Sequence, residues 1–278
     1  MLKWIVSGDL HGSLYRFNDL SLTEKTNILI LGDAGFNFYL NKTDTKLKQA
    51  ASMLNVNFYC VRGNHEQRPE LIPTMELVWD NEVFGNVYVE NDFPNIKYLQ
   101  DGKVYHFGSK RALVLGGAYS VDKYYRLRRA GLSADDPEEL IMKRAGWFPA
   151  EQLTASEMNT ISEHIPDIFV DFVVSHTCPY SWQPTDLFLN GLDQSTVDNT
   201  MEHWLDTIKD KFNWNIWLFG HFHDDRLVRP HVEMYYTDIE DLDTIWNRWN
   251  NDKTIENEWW LKKSPDYYFD DNIWASKG

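Results

Sequence analysis

Two histidines in the stretch LFGHFH, His221 and His223, stand one residue apart directly after an apolar run. The run NIWLFG predicts a buried strand, and side chains two residues apart on a strand point to the same side. Neutral imidazole is a common ligand of transition metals, so this spacing suits a metal site. Two histidines that are satisfied separately by their neighbours give the same pattern, and the motif alone leaves both interpretations open.

Four further clusters of polar residues follow apolar runs in the same way. They read GDLHG at 8–12, GDAG at 32–35, GNHE at 63–66 and SHTC at 175–178. In α/β sheets ligands bind at the carboxyl ends of the strands, so residues that directly follow the strands are placed to converge. With GHFH at 220–223, the clusters predict one site assembled from distant parts of the chain.

The spacing of the first three clusters predicts the elements that carry them. The runs WIVSGD, NILILGD and VNFYCVRGNHE are predicted strands. Between them lie two segments of helical periodicity, one with Leu14, Phe17 and Leu20 on one face and one, DTKLKQAASMLN, that Asp44 could cap. Strands that alternate with helices at this spacing indicate βαβ units and parallel pairing.

The middle of the chain has a different pattern. NVYVEN, KVYHFG and RALVLGGAYS read as strands joined by tight turns, with GSK as a hairpin loop. Residues 119–150 are predicted to form an irregular basic and aromatic insert. The pair Thr154 and Glu157 then predicts a capping box that opens a helix. The strand IFVDFVVSH, a helical stripe over 197–212, and the strands WNIWLFGHFH and VEMYY complete the predicted core.

The composition changes near residue 238. The segment 238–278 is acidic and holds five of the 12 tryptophans. We therefore divide the chain into a body of residues 1–237, which carries the five clusters, and a C-terminal extension of residues 238–278. The extension is predicted to be an amphipathic helix and a tail that pack on the body; a partner-binding or oligomerising surface is the alternative.

The overall charge limits the partners. A formal net charge of −15 argues against broad binding to nucleic acid, which needs Lys and Arg to displace counterions. A small phosphorylated substrate stays compatible, because the charge in a pocket can oppose the total.

The two cysteines, Cys60 and Cys178, are too few for a disulfide framework, and a first strand at residue 3 leaves no room for a signal peptide. No run approaches the roughly 20 apolar residues that cross a bilayer. We expect a cytoplasmic protein that is not embedded in a membrane.

The ordered series GDxH, GD, GNH, H and GHxH resembles that of the calcineurin-like metallophosphoesterases over residues 4–237, and in particular a small bacterial or phage-type member. The resemblance implies an α/β fold, a four-layer αββα sandwich of two mixed sheets with a dinuclear metal site at the strand ends. One metal would be held by Asp9, His11 and His223, the other by Asn64, His176 and His221, with Asp33 bridging both. Mixed nitrogen and oxygen donors suit Mn, Fe, Zn or Ni better than Ca, and a carboxylate has enough lone pairs to link two cations.

The activity implied by this resemblance is a metal-dependent phosphoesterase. A hydroxide that bridges the two metals would attack phosphorus, while the metals bind the phosphate oxygens. His65, which follows the implied ligand Asn64, would protonate the leaving group or stabilise its charge. A purely structural His65 is the alternative.

Two positions depart from GDxVDRG, the second motif of the related phosphoprotein phosphatases. Phe36 and Asn37 stand where those enzymes carry an Asp that orients the histidine and an Arg that binds phosphate. Protein-phosphatase activity is therefore disfavoured. Arg62 keeps a position that contacts phosphate in those enzymes, and an ordinary surface salt bridge is its alternative role.

The insert offers replacements for the missing arginine. Tyr119, Lys123 and Arg126 are the candidate substrate-binding residues, because a guanidinium binds phosphate oxygens bidentately and a tyrosine ring can stack on a leaving group. A solvated basic loop is the alternative for these residues. Cys178, two residues after His176, is expected to be a small buried packing residue.

Three other functions remain compatible with the sequence. GDLHG and RGNHE are similar to stretches of diadenosine tetraphosphatases, so a pyrophosphohydrolase of dinucleoside polyphosphates is the first alternative. A phosphodiesterase or nuclease is the second, disfavoured by the negative charge and by the lack of an obvious basic groove. The non-enzymatic alternative is a metal-stabilised scaffold that binds a partner through the tryptophan-rich extension.

Overall fold

The structure is a computed structural model, and it describes residues 2–17, 25–165, 169–188 and 195–251. These residues form two mixed β-sheets. The first sheet contains β1 (Lys3–Ser7), β2 (Thr26–Ile30), β3 (Val56–Cys60), β4 (Met75–Asp80), β5 (Gly85–Glu90), β6 (Ile96–Leu99) and β13 (Ile239–Asp241). The second contains β7 (Val104–Phe107), β8 (Lys110–Leu115), β9 (Phe169–Ser175), β10 (Asn213–Phe219), β11 (Arg226–Arg229) and β12 (Val232–Met234).

Each sheet has a parallel centre and antiparallel edges. The first sheet has the order β13-β1-β2-β3-β6-β5-β4, in which β1, β2, β3 and β6 are parallel. The second has the order β11-β12-β10-β9-β8-β7, in which β12, β10, β9 and β8 are parallel. β2 and β3 are buried at every residue, as expected of parallel strands that are covered on both faces.

The two sheets pack face to face, and helices cover their outer faces. Side chains of both sheets, such as Leu29 and Val174, share the central core. Helix α1 (Lys42–Ser52) covers the outer face of the first sheet. Helices α4 (Ala155–His164) and α5 (Thr200–Ile208) cover the second. The four-layer αββα sandwich predicted from the sequence is confirmed.

The insert is more regular than predicted. Residues 119–150 contain two short helices, α2 (Lys123–Ala130) and α3 (Glu138–Ala145), so the irregular loop was a wrong prediction. The helices pack on each other through Leu127, Ile141 and Trp147, which form a small core of their own. Each helix ends at a glycine with a positive φ angle, a common helix-stop signal.

Local signals at helix ends were predicted with mixed success. The capping box of Thr154 and Glu157 is present at the start of α4. Asp44, however, does not cap α1: Asn41 does, and Asp44 instead accepts hydrogen bonds from the backbone of the preceding turn. Of the helix predicted after β1, the structure shows a 3₁₀ turn at Tyr15–Phe17, and Leu20 lies outside the described residues.

The first residues of the C-terminal extension join the sandwich. β13 pairs antiparallel with β1, and α6 (Leu242–Asn251) places Ile245 and Trp249 in the central core. Residues 252–278 lie outside the described residues, and the boundary at residue 237 remains a prediction. Across the described ranges, every helix is too short or too polar to cross a membrane.

Candidate metal centre

The predicted metal ligands lie in the loops directly after β1, β2, β3, β9 and β10. Four of them have a positive φ angle: His11 (46°), Asp33 (47°), His221 (71°) and His223 (55°). Residues other than Gly rarely adopt this left-handed conformation, which costs about 1–3 kcal/mol per residue. Strain shared by four residues at one edge of the fold is typical of a functional site.

Glycines let these loops approach one another closely. A Cβ atom on Gly63 would lie 1.9 Å from Oδ1 of Asp33, and one on Gly32 would lie 2.0 Å from Nδ1 of His176. Gly32 also has a φ of +102°, which side chains rarely tolerate. The glycines of the GD and GN motifs are therefore needed to bring the carboxylate and the imidazole together.

The first group of converging ligand atoms comes from Asp9, His11 and His223. Nε2 of His223 lies 3.3 Å from Oδ2 of Asp9 and 3.0 Å from Nε2 of His11. The ring of Tyr236 stacks on His223, with centroids 4.6 Å apart and an angle of 15° between the planes. One carboxylate and two imidazoles thus face a common point at the surface.

The second group comes from Asp9, Asp33 and His176. Nδ1 of His176 lies 2.8 Å from the Leu31 carbonyl and donates its hydrogen there. Nε2 then faces Oδ1 of Asn64 at 2.7 Å and Oδ2 of Asp33 at 3.6 Å. Burial lowers the pKa of His176, but the charges of Asp33 and Asp9 raise it more strongly, to about 9. The raised pKa favours a proton on Nε2, directed at Oδ1 of Asn64, at a position where a metal ion could bind instead.

The two aspartates lie between the groups. Oδ2 of Asp33 lies 4.0 Å from Nδ1 of His11 in addition to its contact with His176. Asp9, assigned from the sequence to one metal only, belongs to both groups of converging atoms. Bridging by Asp33 remains a prediction, and the geometry adds Asp9 as a second residue that both groups share.

Both aspartates keep one oxygen free of hydrogen bonds. Oδ1 of Asp9 accepts the backbone N–H of His221, and Oδ1 of Asp33 accepts that of His65. Each Oδ2 is buried and receives no hydrogen bond from the described residues. Burial opposes ionisation, but the neighbouring histidines lower both pKa values, that of Asp9 to about 2. Buried, charged and unsatisfied oxygens are costly unless a cation compensates them, so these residues fit a metal ion.

His221 lies beside His176, with ring centroids 5.0 Å apart. Burial lowers its pKa to about 3, and the charge of His176 adds to the effect, so the ring is neutral, as a metal ligand must be. Its ring nitrogens are not part of either group of converging atoms, and its role as a ligand remains a prediction.

His65 borders the site without joining either ligand group. Its ring lies 5.6 Å from that of His11, and its buried Nδ1 has no hydrogen-bond partner in the described ranges. Burial lowers the pKa of His65 to about 4, opposed by Asp33 and reinforced by Arg126. A bound phosphate is the kind of charge that would raise this pKa again.

Arg62 does not reach toward the metal groups. It is 1% exposed, and all three of its nitrogens bond to protein: Nε to Asp101, Nη1 to the Glu151 carbonyl and Nη2 to the Gly116 carbonyl. These bonds give Arg62 a structural role, with an ion pair to the partly buried Asp101, and its contact with phosphate remains a prediction. Arg62 ties the loop after β3 to the segments on either side of the insert.

The three candidates in the insert differ in what they offer a substrate. Tyr119 is buried, with its hydroxyl donating to the Thr196 carbonyl, and Lys123 lies over the Trp147 ring at 4.2 Å. Arg126 bonds through Nε to Asp122 and through Nη1 to the Gly146 carbonyl. Its Nη2 has no hydrogen-bond partner in the part of the chain that the structure describes. Arg126 thus keeps a donor that a phosphate could accept, and its contact with substrate remains a prediction.

The two departures from the phosphatase motif are both buried. Phe36 packs under the first sheet, and Asn37 is 1% exposed with its Nδ2 unpartnered among the described residues. Cys178 is a fully buried packing residue, as expected.

No sequence signal revealed four residues near the site, which are Arg16, Ser120, Glu151 and Tyr236. Arg16 donates to the Ser7 hydroxyl and to the Asp9 carbonyl, and also bonds to the carbonyl of Tyr236, the residue that stacks on His223. Ser120 and Glu151 form a buried link to Asn64. Only tertiary packing brings these residues to the ligand loops, since up to 220 positions separate the partners.

Comparison with known proteins agrees with this geometry. No curated protein matches the chain in sequence. The sequence model described as calcineurin-like phosphoesterase matches residues 2–225. The chain belongs to this family. Among solved structures, it is similar to the phosphopantetheinyl hydrolase (PptH) from Mycobacterium tuberculosis, at 14% identity over 96% of this chain and 98% of that chain, with a TM-score of 0.42. As a calcineurin-like phosphoesterase, the protein is a metal-dependent phosphoric ester hydrolase.

Proposed function

We propose that this calcineurin-like phosphoesterase hydrolyses phosphate monoesters of small molecules with two metal ions drawn from Mn, Fe, Zn and Ni. One ion would be held by Asp9, His11 and His223, and the other by Asn64, His176 and His221, with Asp33 shared. The observation that carries this proposal is the pair of buried Oδ2 atoms of Asp9 and Asp33, which are charged, unsatisfied and surrounded by imidazoles.

The protein's own residues prepare the donor atoms. The backbone N–H groups of His221 and His65 hold Oδ1 of each aspartate, which turns Oδ2 toward the site. The Leu31 carbonyl takes the Nδ1 hydrogen of His176 and so fixes which ring nitrogen faces inward. When bound, two metal ions supply an activated water and bind the phosphate oxygens.

His65 is proposed to assist the leaving group. Hydrolysis adds the oxygen of water to phosphorus and breaks the bond from phosphorus to the ester oxygen, so the leaving group departs as an alkoxide that needs a proton to become an alcohol. A neutral His65 can hydrogen-bond to that oxygen, and an anionic substrate raises its pKa toward protonation. Arg126 is proposed to donate to a phosphate oxygen from the neighbouring helix α2.

A small substrate and a reducing compartment are the remaining parts of the proposal. The net charge of −15 disfavours nucleic acid, which is bound through an extended basic surface. Cys60 and Cys178 are both buried thiols without a disulfide, which supports a cytoplasmic location.

A substrate comparison in the presence of Mn²⁺ tests the proposal. Purified protein is assayed with p-nitrophenyl phosphate, its bis ester and diadenosine tetraphosphate, beside an Asp9→Asn/Asp33→Asn double variant as the inactive control. We expect the monoester to be turned over fastest and the double variant to be inactive. Faster turnover of the bis ester or of diadenosine tetraphosphate would transfer the proposal to those substrates, and no turnover of any would favour a scaffold.

A further inference from the structure

The amide of Asn64 has to face in one direction to bind a metal ion. Its Nδ2 donates to Oγ of Ser120 at 2.9 Å, and its Oδ1 lies 2.7 Å from Nε2 of His176. An amide flipped by 180° would occupy the same space but would present N–H groups, which cannot bind a cation. The shape of the pocket cannot select between these orientations, so a hydrogen-bond partner has to do so.

Ser120 fixes that orientation only if its own hydroxyl hydrogen points away from Asn64. Oγ of Ser120 lies 2.5 Å from Oε2 of Glu151, and the backbone N–H of Ser120 donates to Oε1 of the same carboxylate. A hydroxyl has a single hydrogen, and an ionised carboxylate can only accept. The hydrogen therefore goes to Glu151, and a lone pair of Oγ is left to accept from Asn64.

The carboxylate of Glu151 is held firmly in this arrangement. Nε1 of Trp147 donates to Oε2 at 2.8 Å, and Glu151, Ser120 and Asn64 are each at most 3% exposed. The carbonyl of Glu151 also accepts from Arg62, which precedes the GNHE motif. Both the side chain and the backbone of Glu151 thus connect the insert to the loop that carries Asn64.

We propose that Glu151 is a positioning residue that sets the direction of the hydrogen bonds from Asn64 to Ser120 to Glu151, and thereby presents the amide oxygen of Asn64 to one metal ion. The inference rests on the proposed function, because it takes Asn64 to be a ligand. It gives Ser120, in the insert, a role in metal affinity in addition to the substrate contact proposed for Arg126.

Glu151→Gln tests the direction of these hydrogen bonds with little change in shape. A glutamine cannot accept from the Ser120 hydroxyl, the Ser120 N–H and the Trp147 indole at once, since one end of its amide is a donor. The Ser120 hydrogen is then free to turn to Asn64 and to favour the flipped amide. We expect one of the two metal ions to bind about 10–100-fold more weakly, the range found when groups that orient metal ligands are lost, while the other ion binds as before.

The readout is Mn²⁺ affinity measured by equilibrium dialysis and elemental analysis at pH 8, above the pKa of Glu151, which burial raises to about 7. The matched control is Glu202→Gln, a glutamate that is equally buried but accepts from the Thr177 hydroxyl rather than from Ser120. If Glu151 had a purely structural role, Glu151→Gln would have a lower melting temperature, but the affinities of the two Mn²⁺ ions would not change relative to each other. Excess Mn²⁺ should restore the kcat of Glu151→Gln.

Two outcomes separate this inference from the proposed function. If the wild-type protein binds two ions and Glu151→Gln binds both with unchanged affinity, the positioning role is wrong and the proposed function stands. If the wild type binds no ion, the proposed function fails first. Should Glu151→Gln not fold, Ser120→Ala decides: it removes the acceptor for Asn64, so we expect the same single affinity to fall, and two unchanged affinities would overturn the inference.

Discussion

Oδ1 of Asn64 lies 2.7 Å from Nε2 of His176, although the two residues follow strands of different sheets of the sandwich. Asn64 follows β3 of the first sheet, and His176 follows β9 of the second. Asp9 and Asp33 likewise follow strands of the first sheet, whereas His221 and His223 follow β10 of the second. The site therefore exists only when the sheets are packed together, and metal binding should stabilise the packed sandwich.

Replacing His65 by alanine should separate catalysis from metal binding. Because His65 borders the site but joins neither ligand group, His65→Ala is expected to lower kcat by about a hundredfold or more while the metal content stays that of the wild type. Turnover of p-nitrophenyl phosphate and elemental analysis of the same sample measure both. His106→Ala, on the hairpin strand β7, is the control. Loss of metal from His65→Ala would show that the residue is a ligand or a structural support.

Removal of Arg126 tests the substrate contact proposed for the insert. Arg126→Ala should lower kcat/KM at least about tenfold with metal occupancy unchanged, because loss of one donor to the transition-state charge costs about a hundredfold to a thousandfold. Arg129→Ala removes an exposed arginine from the same helix and is the matched control. A change near twofold in both variants would show that the basic residues of α2 are only solvated.

Glu202 should make the stability of the protein depend on pH. Burial raises its pKa from 4.5 to about 7, and its Oε2 has no hydrogen-bond partner in the described ranges. Because this carboxyl holds its proton more tightly in the folded state than in the unfolded state, the folded protein loses stability as the pH rises from 4.5 to 7. Glu202→Gln should remove this loss. The free energy of unfolding of the variant should therefore rise relative to that of the wild type by up to about 3 kcal/mol between pH 5 and pH 8.

Urea unfolding of both proteins at the two pH values, with a chelator present, measures this difference. The comparison is made between proteins at one pH, so the titration of the other buried groups affects both alike. An equal difference in unfolding free energy at pH 5 and pH 8 would contradict the raised pKa of Glu202.

Strong periodicity and strand-end motifs were enough to predict the sandwich and the convergence of its ligand loops. The weakly patterned pieces were not predictable in the same way. β4 presents exposed residues such as Leu77 and Trp79, so its sequence lacks a clear buried face. The helices of the insert bury only a few residues each, and the glycines that end them, Gly131 and Gly146, were the available signal.

The residues around the site likewise divide into those that a sequence pattern predicts and those that it does not. Ligand candidates could be predicted because each sits at a fixed place after a strand. The direction of Arg62 could not, because it depends on Asp101 and on the carbonyls of Gly116 and Glu151, which are brought to it only by folding. The role of Glu151 could not be predicted for the same reason, since the residues next to it in sequence carry no pattern that indicates its link to Asn64.

Metal content after reconstitution tests the central claim most directly. Protein stripped with a chelator, reloaded with Mn²⁺ and freed of unbound metal is analysed for Mn per chain, beside His223→Ala and Asp33→Asn. We predict about two ions in the wild type, about one in His223→Ala, and the greatest loss in Asp33→Asn, because its carboxylate lies between both groups of ligand atoms. A wild-type protein that is folded and retains no Mn, or an Asp33→Asn variant that retains both ions and full activity, would contradict the account.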